Sequence, residues 1–486
     1  MRSVGTVQRV SDDDAPVTPP DVPVPVVAVA NRLPVQLGDD GWQLAPGGLV
    51  TALRPVMERR SGTWVGWDGG SGATPKHLPS LSIDLGSVQL EAADVDRYYH
   101  GFANRTLWPL LHNAVEKPVF DREWWACYRD VNARFAAATI EAAAAHDDPI
   151  IWVHDYHLML VPQLVRAELP DVQIGFFLHV PWPSPDIFVR LPWRREILLG
   201  LLGADVVSFH TERYRSNFVR ACRRVLGEAA DFRGGGDIVV GDRVVRTTAA
   251  PISVDAGELT ALARSKAVDE EVRALEQQFE GRTVLLGVDR LDYTKGIIER
   301  LLAVELLLER DESLRDRLVM VQIAVPSRDD VQEYRDLRAT VEQIVGRING
   351  RFTLPGADVP VHYLYRGLDQ PALAAYYAMA DALLVTPLID GMNLVAKEYV
   401  VVQHARRGDG VLVLSEFTGA ALELKDAVLC NPFDVEGLSY QIERALALDK
   451  ADRQRRLSSM ARRVRAHDVH RWVAGQLAPL VPTAAP

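Results

Sequence analysis

At 486 residues the chain is long enough for two or three domains, each able to bury a core of its own. Apolar residues make up 48% and charged residues 24%, as in ordinary globular proteins. The formal net charge of −11 offers no overall basic field, which excludes nucleic acid and anionic membrane as expected partners. The run from Val22 to Ala30 is broken by prolines and falls short of the roughly 18 residues of a membrane helix. The first residues lack the apolar core of a secretory signal. Cys127, Cys222 and Cys430 are odd in number and far apart, so neither a disulfide framework nor a zinc ligand set is expected. These features together predict a cytoplasmic protein.

Residues 1–21, rich in Pro and Asp, are expected to form a disordered leader. From Val26 onward, short β-branched runs alternate with longer helical stretches. The strand candidates are 26–30, 150–153, 174–179 and 205–210, with helices over 47–60, 123–144 and 211–226. A second series of strands covers 283–289, 318–325, 361–365, 381–387, 410–415 and 427–431, with helices over 296–310 and 328–349 between them. Continuous apolar strands of this kind suit parallel sheets buried on both faces. The stretch 251–265 contains no strong strand and is taken as the junction. The expected fold is therefore α/β: two facing Rossmann-like, doubly wound domains with the active site in the cleft between them. The boundaries are 22–252 and 253–450, with terminal helices over 451–486 that are expected to pack back on the first domain.

Two nucleotide chemistries are improbable from the motifs that are missing. The first strand is followed by NRLPVQLGDDGW instead of a GxGxxG turn, and no GxxxxGK[ST] occurs. The GGG at 234–236 precedes a strand and reads as a hairpin turn.

Polar residues gather at strand ends instead, in both halves of the chain. Asn31 and Arg32 close the first strand, and Gly47 and Gly48 open a helix where a phosphate could approach backbone N–H groups. The alternative there is a loop arginine and a flexible turn. In DRYYHGFANRTLWPLLH (96–112), Tyr98, Tyr99 and Trp108 could hold a sugar or phosphate, or could simply pack as an aromatic cluster. The neighbouring acidic triplet 94–96 reads as a solvated charge run.

WVHDYHL ends a buried strand with His154, Asp155 and His157. Without a third suitably spaced ligand this is no metal site, and Asp155 suits a sugar hydroxyl better. His179 ends the next strand before a Pro-rich loop. In VDRLDYTKGI, Arg290, Lys295 and the helix opened by Gly296 form a diphosphate receptor that needs no divalent metal; the alternative is a surface ion-pair cluster with Asp289 and Asp292. Arg328 repeats the placement one strand later. In LIDGMNLVAKE, Asp390, Gly391, Met392 and Asn393 form a loop whose N–H groups could hold a sugar or phosphate. Glu398, further along the helix, could reach a ribose. The alternative is a loop with an Asp cap.

NRLPV, WVHDYHLMLVP, FFLHVPWPSPDIF, VDRLDYTKGI, VPSRDDV and DGMNLVAKEYV, in this order and spacing, resemble the trehalose-phosphate synthases. These are retaining glycosyltransferases of the GT-B type, and the resemblance runs from about Val26 to Leu448. It implies transfer of glucose from a nucleotide-glucose, UDP-glucose first, to glucose 6-phosphate, giving α,α-trehalose 6-phosphate. By the same resemblance Arg32, Tyr99, Trp108 and Arg328 would hold the acceptor's phosphate and Asp155 its sugar. His179 would sit beside the reacting glucose, with Arg290 and Lys295 on the donor diphosphate and Gly47 and Gly48 against it. Asp390, Gly391, Met392 and Asn393 would hold the donor glucose, and Leu394, Val395 and Glu398 the diphosphate and ribose. The catalytic set is thus Asp155, His179, Arg290 and Lys295.

Two departures leave ADP- and GDP-glucose open as donors. Leu368 stands where relatives carry an aromatic near the base, and Trp182 where Phe is common, next to the reacting centre. No metal or other cofactor and no phosphatase domain is expected; a homo-oligomer, dimer or tetramer, is. The competing functional class is a sugar-phosphate sensor without catalysis.

Overall fold

A computed structural model describes residues 24–38, 41–44, 50, 53, 57, 62–70, 74–77, 83–328 and 330–481. The expected leader, the turn glycines Gly47 and Gly48 and most of the helix expected over 47–60 lie outside these residues.

Two sheets organise the chain. The first contains β1 (Val26–Arg32), β4 (Gly62–Trp67), β5 (Asp84–Val88), β6 (Ile150–His154), β7 (Gln173–Phe177) and β8 (Val206–Phe209). It is completed by β9 (Asp231–Phe232), β10 (Ile238–Val240) and β11 (Arg243–Ala249), and its order is β5-β4-β1-β6-β7-β8-β11-β10-β9. All pairs are parallel except the two at the β9 edge. The GGG turn joins β9 to β10, which pair antiparallel, as a hairpin requires. A small antiparallel hairpin, β2 (Val35–Gly38) with β3 (Gly41–Leu44), stands apart from this sheet.

The second sheet is parallel throughout. It comprises β12 (Thr283–Arg290), β13 (Leu318–Val325), β14 (Val361–Leu364), β15 (Ala382–Val385), β16 (Val411–Ser415) and β17 (Val428–Cys430). Its order is β14-β13-β12-β15-β16-β17. Strands β1, β4 and β6 are almost wholly buried, as expected for strands covered by helices on both faces.

In each sheet the strand order reverses at one place, between β1 and β6 and between β12 and β15. A crevice opens at such a reversal, outside the carboxyl ends of the strands. Of the polar strand ends singled out in the sequence, those after β1, β6, β12 and β15 flank these two crevices.

The helices start where capping side chains allow. Asp121 accepts N–H bonds from Glu123 and Trp124 ahead of the helix Arg122–Ala143, and Thr211 caps Glu212–Leu226. The helix expected from 328 begins at Gln332 instead, because Arg328 takes a left-handed backbone with φ of 55°. The segment 96–112, weakly periodic in sequence, is helical with i→i+5 bonding over Val95–Leu107 and α-helical over Trp108–Leu111. That wider spacing hides it from a 3.6-residue pattern. Asp94 of the acidic triplet is not simply solvated; it takes a two-pronged ion pair from Arg134 at 2.7 and 3.0 Å.

The helix Val469–Leu477 lies against the first sheet, although it follows the second in sequence. The Trp472 ring sits 4.9 Å from Phe177 and 5.4 Å from Trp152, and its Nε1 donates to the Ala250 carbonyl at 3.2 Å. One core runs through Val26, Trp152, Phe177 and Trp472 into Leu286, Leu383 and Val400, so the two sheets share a hydrophobic interior. Each sheet's remaining face has a core of its own.

Candidate active site

On the first sheet, β1 delivers Asn31 and Arg32. The buried Asn31 accepts a 2.8 Å bond from the Tyr98 hydroxyl, and the Arg32 guanidinium lies over Trp67 at 3.8 Å and Tyr99 at 5.7 Å. Tyr99 stacks on His157, with centroids 5.8 Å apart and planes 12° from parallel. Burial pushes its phenol up, but the charges of Arg328, Arg32 and Arg290 outweigh this and leave it below the usual value. Trp108 carries two cations, Arg328 at 4.1 Å and Arg290 at 5.5 Å.

Arg328 reaches this side from the end of β13. Its Nη1 donates to Asp292 at 3.1 Å and also to the Tyr334 hydroxyl, and its Nη2 donates to the Tyr156 hydroxyl at 3.2 Å across the cleft. Asp292 is wholly buried, yet Arg328, Arg290 and Lys295 overcome the burial and hold its carboxyl below the usual range. The alternative reading, a surface ion-pair cluster, does not hold. Asp289 and Asp292 are buried, and they pair with Arg300 and Arg328, not with Arg290 or Lys295.

Beside this aromatic wall stands Asp155, in a left-handed conformation with φ of 74° that turns the chain sharply after β6. Burial raises its carboxyl to about 6, although the Tyr156 and His179 N–H groups oppose the rise. The His179 N–H reaches its Oδ1 at 3.3 Å.

Three neutral histidines then fix one another. The Ile252 N–H points at His210 Nδ1, 3.4 Å away, so the proton of His210 sits on Nε2 and is donated to the His179 carbonyl at 3.0 Å. His154 Nδ1 lies 3.1 Å from His179 Nε2, while its own buried Nε2 has no partner. A bare lone pair is tolerated there better than an orphaned N–H. His154 therefore donates from Nδ1, and His179 carries its proton on Nδ1. Burial drives His154 and His210 to about 3, which keeps these rings uncharged.

On the second sheet, Lys295 and Asp390 meet at 2.7 Å, and Asn393 Nδ2 lies 3.2 Å from the same carboxylate oxygen. Lys295 outweighs burial and holds the Asp390 carboxyl low. The loop after β15 is drawn against the first sheet: Tyr214 donates to the Asp390 carbonyl at 3.0 Å, and a Cβ at Gly391 would meet the His179 carbonyl. Asn393, at φ of 123°, caps the helix Leu394–Ala405 through the Ala396 N–H at 3.0 Å. Glu398 accepts from Tyr377 at 2.8 Å, and burial raises its carboxyl. Met392 is buried, whereas Leu368, Leu394 and Val395 are half-buried along the same core.

The Arg290 guanidinium has no hydrogen-bond or ion-pair partner among the described residues and lies over the face of Trp108. Other unsatisfied polar atoms gather close by: Trp108 Nε1, Arg328 Nε, Asn104 Nδ2 and both ring nitrogens of His157 are buried without partners. Buried polar groups are normally paired, so such a concentration marks where a polar ligand belongs.

The structure thus brings together Arg32, Tyr99, Trp108, Asp155, His179, Arg290, Lys295, Arg328 and Asp390 with its loop, while Gly47 and Gly48 lie outside the described residues. The Trp182 ring is fully buried among Phe188, Phe209 and Phe218. Sequence reasoning passed over Arg300, which is wholly buried and bonded to Asp289 at 2.6 Å, Gln322 at 2.8 Å and Thr386 at 3.0 Å. An arginine within an amphipathic helix gives no sign of this. Tyr156, Tyr214 and His210 were passed over as well, being ordinary-looking members of apolar segments.

Comparison with known proteins agrees with this geometry. The model of glycosyltransferase family 20 matches residues 25–480. Trehalose-6-phosphate synthase of Mycolicibacterium smegmatis is 46% identical over 472 residues, covering 94% of this chain and 92% of that one. The crystal structure of α,α-trehalose 6-phosphate synthase from Burkholderia multivorans superposes with a TM-score of 0.85 at 38% identity, covering 94% of this chain and 98% of that one. The Burkholderia xenovorans UDP-forming enzyme in complex with glucose 6-phosphate gives 0.83 at 35%, covering 94% and 99%. With two doubly wound sheets of the GT-B arrangement, a cation-lined cleft at their reversal points and a match along nearly its whole length, this chain belongs to glycosyltransferase family 20.

Proposed function

We propose that the cleft transfers glucose from UDP-glucose to glucose 6-phosphate with retention, releasing α,α-trehalose 6-phosphate and UDP. The observation that carries this reading is the gathering of Arg32, Arg290 and Arg328 around Tyr99 and Trp108, amid unpaired buried donors. Such a wall suits a phosphate on a sugar. Arg32, Tyr99, Trp108 and Arg328 hold the acceptor's phosphate, and Asp155 accepts from its hydroxyls. Arg290 and Lys295 face the donor diphosphate, where negative charge grows as the glycosidic C–O bond breaks. Gly47 and Gly48 belong against the same diphosphate.

The loop Asp390 to Asn393 holds the donor glucose beside His179, and Leu368, Leu394, Val395 and Glu398 complete the nucleotide side. The acceptor oxygen bonds to the donor's anomeric carbon on the face the diphosphate leaves, and its proton passes to the departing phosphate oxygen. No cofactor takes part in this scheme. The acceptor-binding unit spans 22–252, the donor-binding unit 253–450 and the crossing helices 451–486. The protein acts in the cytoplasm as a homo-oligomer. Among the described residues no helix is long and apolar enough to cross a membrane.

Incubating the purified protein with UDP-glucose and glucose 6-phosphate, without added metal, tests the reading. UDP release that depends strictly on glucose 6-phosphate, with a non-reducing disaccharide phosphate formed, is the expected outcome, and parallel reactions with ADP- and GDP-glucose rank the donors. Binding of glucose 6-phosphate without turnover of any of the three donors overturns it in favour of a sensor.

A further inference from the structure

Away from the cleft, a second concentration of guanidinium groups surrounds an open pocket of about 370 Å³. Val189, Pro192, Arg194, Arg195, Arg224 and Val225 line it, and none of them takes part in the site described above. Arg194 and Arg195 open the helix Arg194–Leu201, whose N-cap position, Trp193, supplies no side-chain cap. The positive end of that helix therefore adds to the two side chains. Arg224 enters from the last turn of the helix Glu212–Leu226.

Little neutralises this charge. Arg224 pairs with Asp186, whose side chain is 82% exposed, so water screens the pair and an incoming anion can compete for the guanidinium. Arg194 uses one Nη1 bond to the Leu191 carbonyl at 3.2 Å, which leaves the rest of its fork free to donate. Arg195 has no hydrogen-bond or ion-pair partner among the described residues. Residues 186–228 contain eight arginines against five carboxylates, within a chain whose overall charge is −11. A locally basic, concave surface on an acidic protein favours a small anion over an extended polyanion, which the rest of the surface would repel. The remaining walls, Val189, Pro192 and Val225, are apolar and carry no hydrogen-bonding side chain.

We infer that this pocket is a second anion site, built for the phosphate monoester of a small organic molecule. The three guanidinium groups take the phosphate dianion, and Val189, Pro192 and Val225 take the carbon body. Arginine suits this task because its planar fork matches two phosphate oxygens at once. The site is separate from the cleft, so it stands or falls independently of the transfer reaction.

Phenylglyoxal modification of the full-length protein, read by peptide mapping, tests the inference residue by residue. Glycerol phosphate at saturating concentration is expected to slow modification of Arg195 and Arg224 by about ten-fold. The neighbouring exposed Arg190 and Arg223 should continue to react at their original rates. Inorganic phosphate should protect the same two residues only at higher concentration, because it leaves the apolar wall unused; equal potency of the two anions would overturn the part of the inference that assigns a carbon body. In the Arg195→Glu variant, protection of Arg224 should disappear while the rate of glucosyl transfer stays the same. Equal slowing at Arg190 and Arg223, with heparin or with phosphate, would show a diffuse basic surface and overturn the inference. So would unprotected Arg195 at any concentration of either anion, or protection of Arg224 that persists in Arg195→Glu.

Discussion

Asp155 is held in a state that costs stability. Its folded-state carboxyl is raised to about 6 from the ordinary 3.8, so folding favours the protonated form. The contribution to stability is full below about pH 4, declines as the pH rises through 6, and is absent above it. A rise of this size corresponds to about 3 kcal/mol. Asp155→Asn keeps an oxygen for the His179 N–H, and should raise the denaturation midpoint at pH 7 while leaving it unchanged at pH 4. Glucosyl transfer should fall in the same variant, since the carboxylate is proposed as the hydrogen-bond acceptor for the sugar. Equal thermal shifts at the two pH values would contradict this account. Arg290 lies over the Trp108 ring and helps hold the buried Asp292 carboxyl low. Arg290→Ala should cut kcat about 100- to 1,000-fold and also lower stability by raising that carboxyl, read from kinetics and urea denaturation together.

At the scale of single elements, the turn after β12 shows why some of the site was legible and some was not. Lys295 and Gly296 announce a helix start of the kind that can receive a phosphate, because the charge and the glycine are themselves the signal. Gly296 has φ of 62°, and a Cβ there would fall on the Thr386 carbonyl. What fixes the turn is Arg300, one helical turn further on, whose role depends on Asp289, Gln322 and Thr386 from three separate strands or their ends. Partners that distant in sequence leave no local pattern. Likewise β4 and β5 were missed, since GTWVGW and DLGSV are short and glycine-bearing. Arg300→Leu should destabilise the protein by about 3–5 kcal/mol by stranding the Asp289 charge, and pairing it with Asp289→Asn should restore much of the loss. Chemical denaturation of the single and double variants checks both expectations.

For the whole molecule, the alternation of apolar strands and helices was enough to read two doubly wound sheets, and the polar strand ends were enough to find both crevices. The periodic signal did not disclose that one core runs through both sheets and the closing helix. Trp472 is the joint: it is 5% exposed, lies against Trp152 and Phe177, and bonds to the Ala250 carbonyl. Trp472→Ala should cost about 3–5 kcal/mol. Because the lost contacts bridge the sheets, calorimetry should resolve the single transition into two, whereas a uniform downward shift of one transition would indicate local damage only.

The same closing helix has a consequence for the order in which the protein can be made. Leu480 sits so close to Gly175 that a side chain on the glycine would push it aside, and Trp472 covers the ring of Phe177. Yet these covering residues leave the ribosome roughly three hundred positions after β7, which is about 15 to 60 seconds later at 5–20 residues per second. During that interval the nascent first sheet carries a bare aromatic face. The first sheet cannot complete its core until that helix has been made, and the growing chain is until then a natural client for chaperones that hold exposed hydrophobic surface.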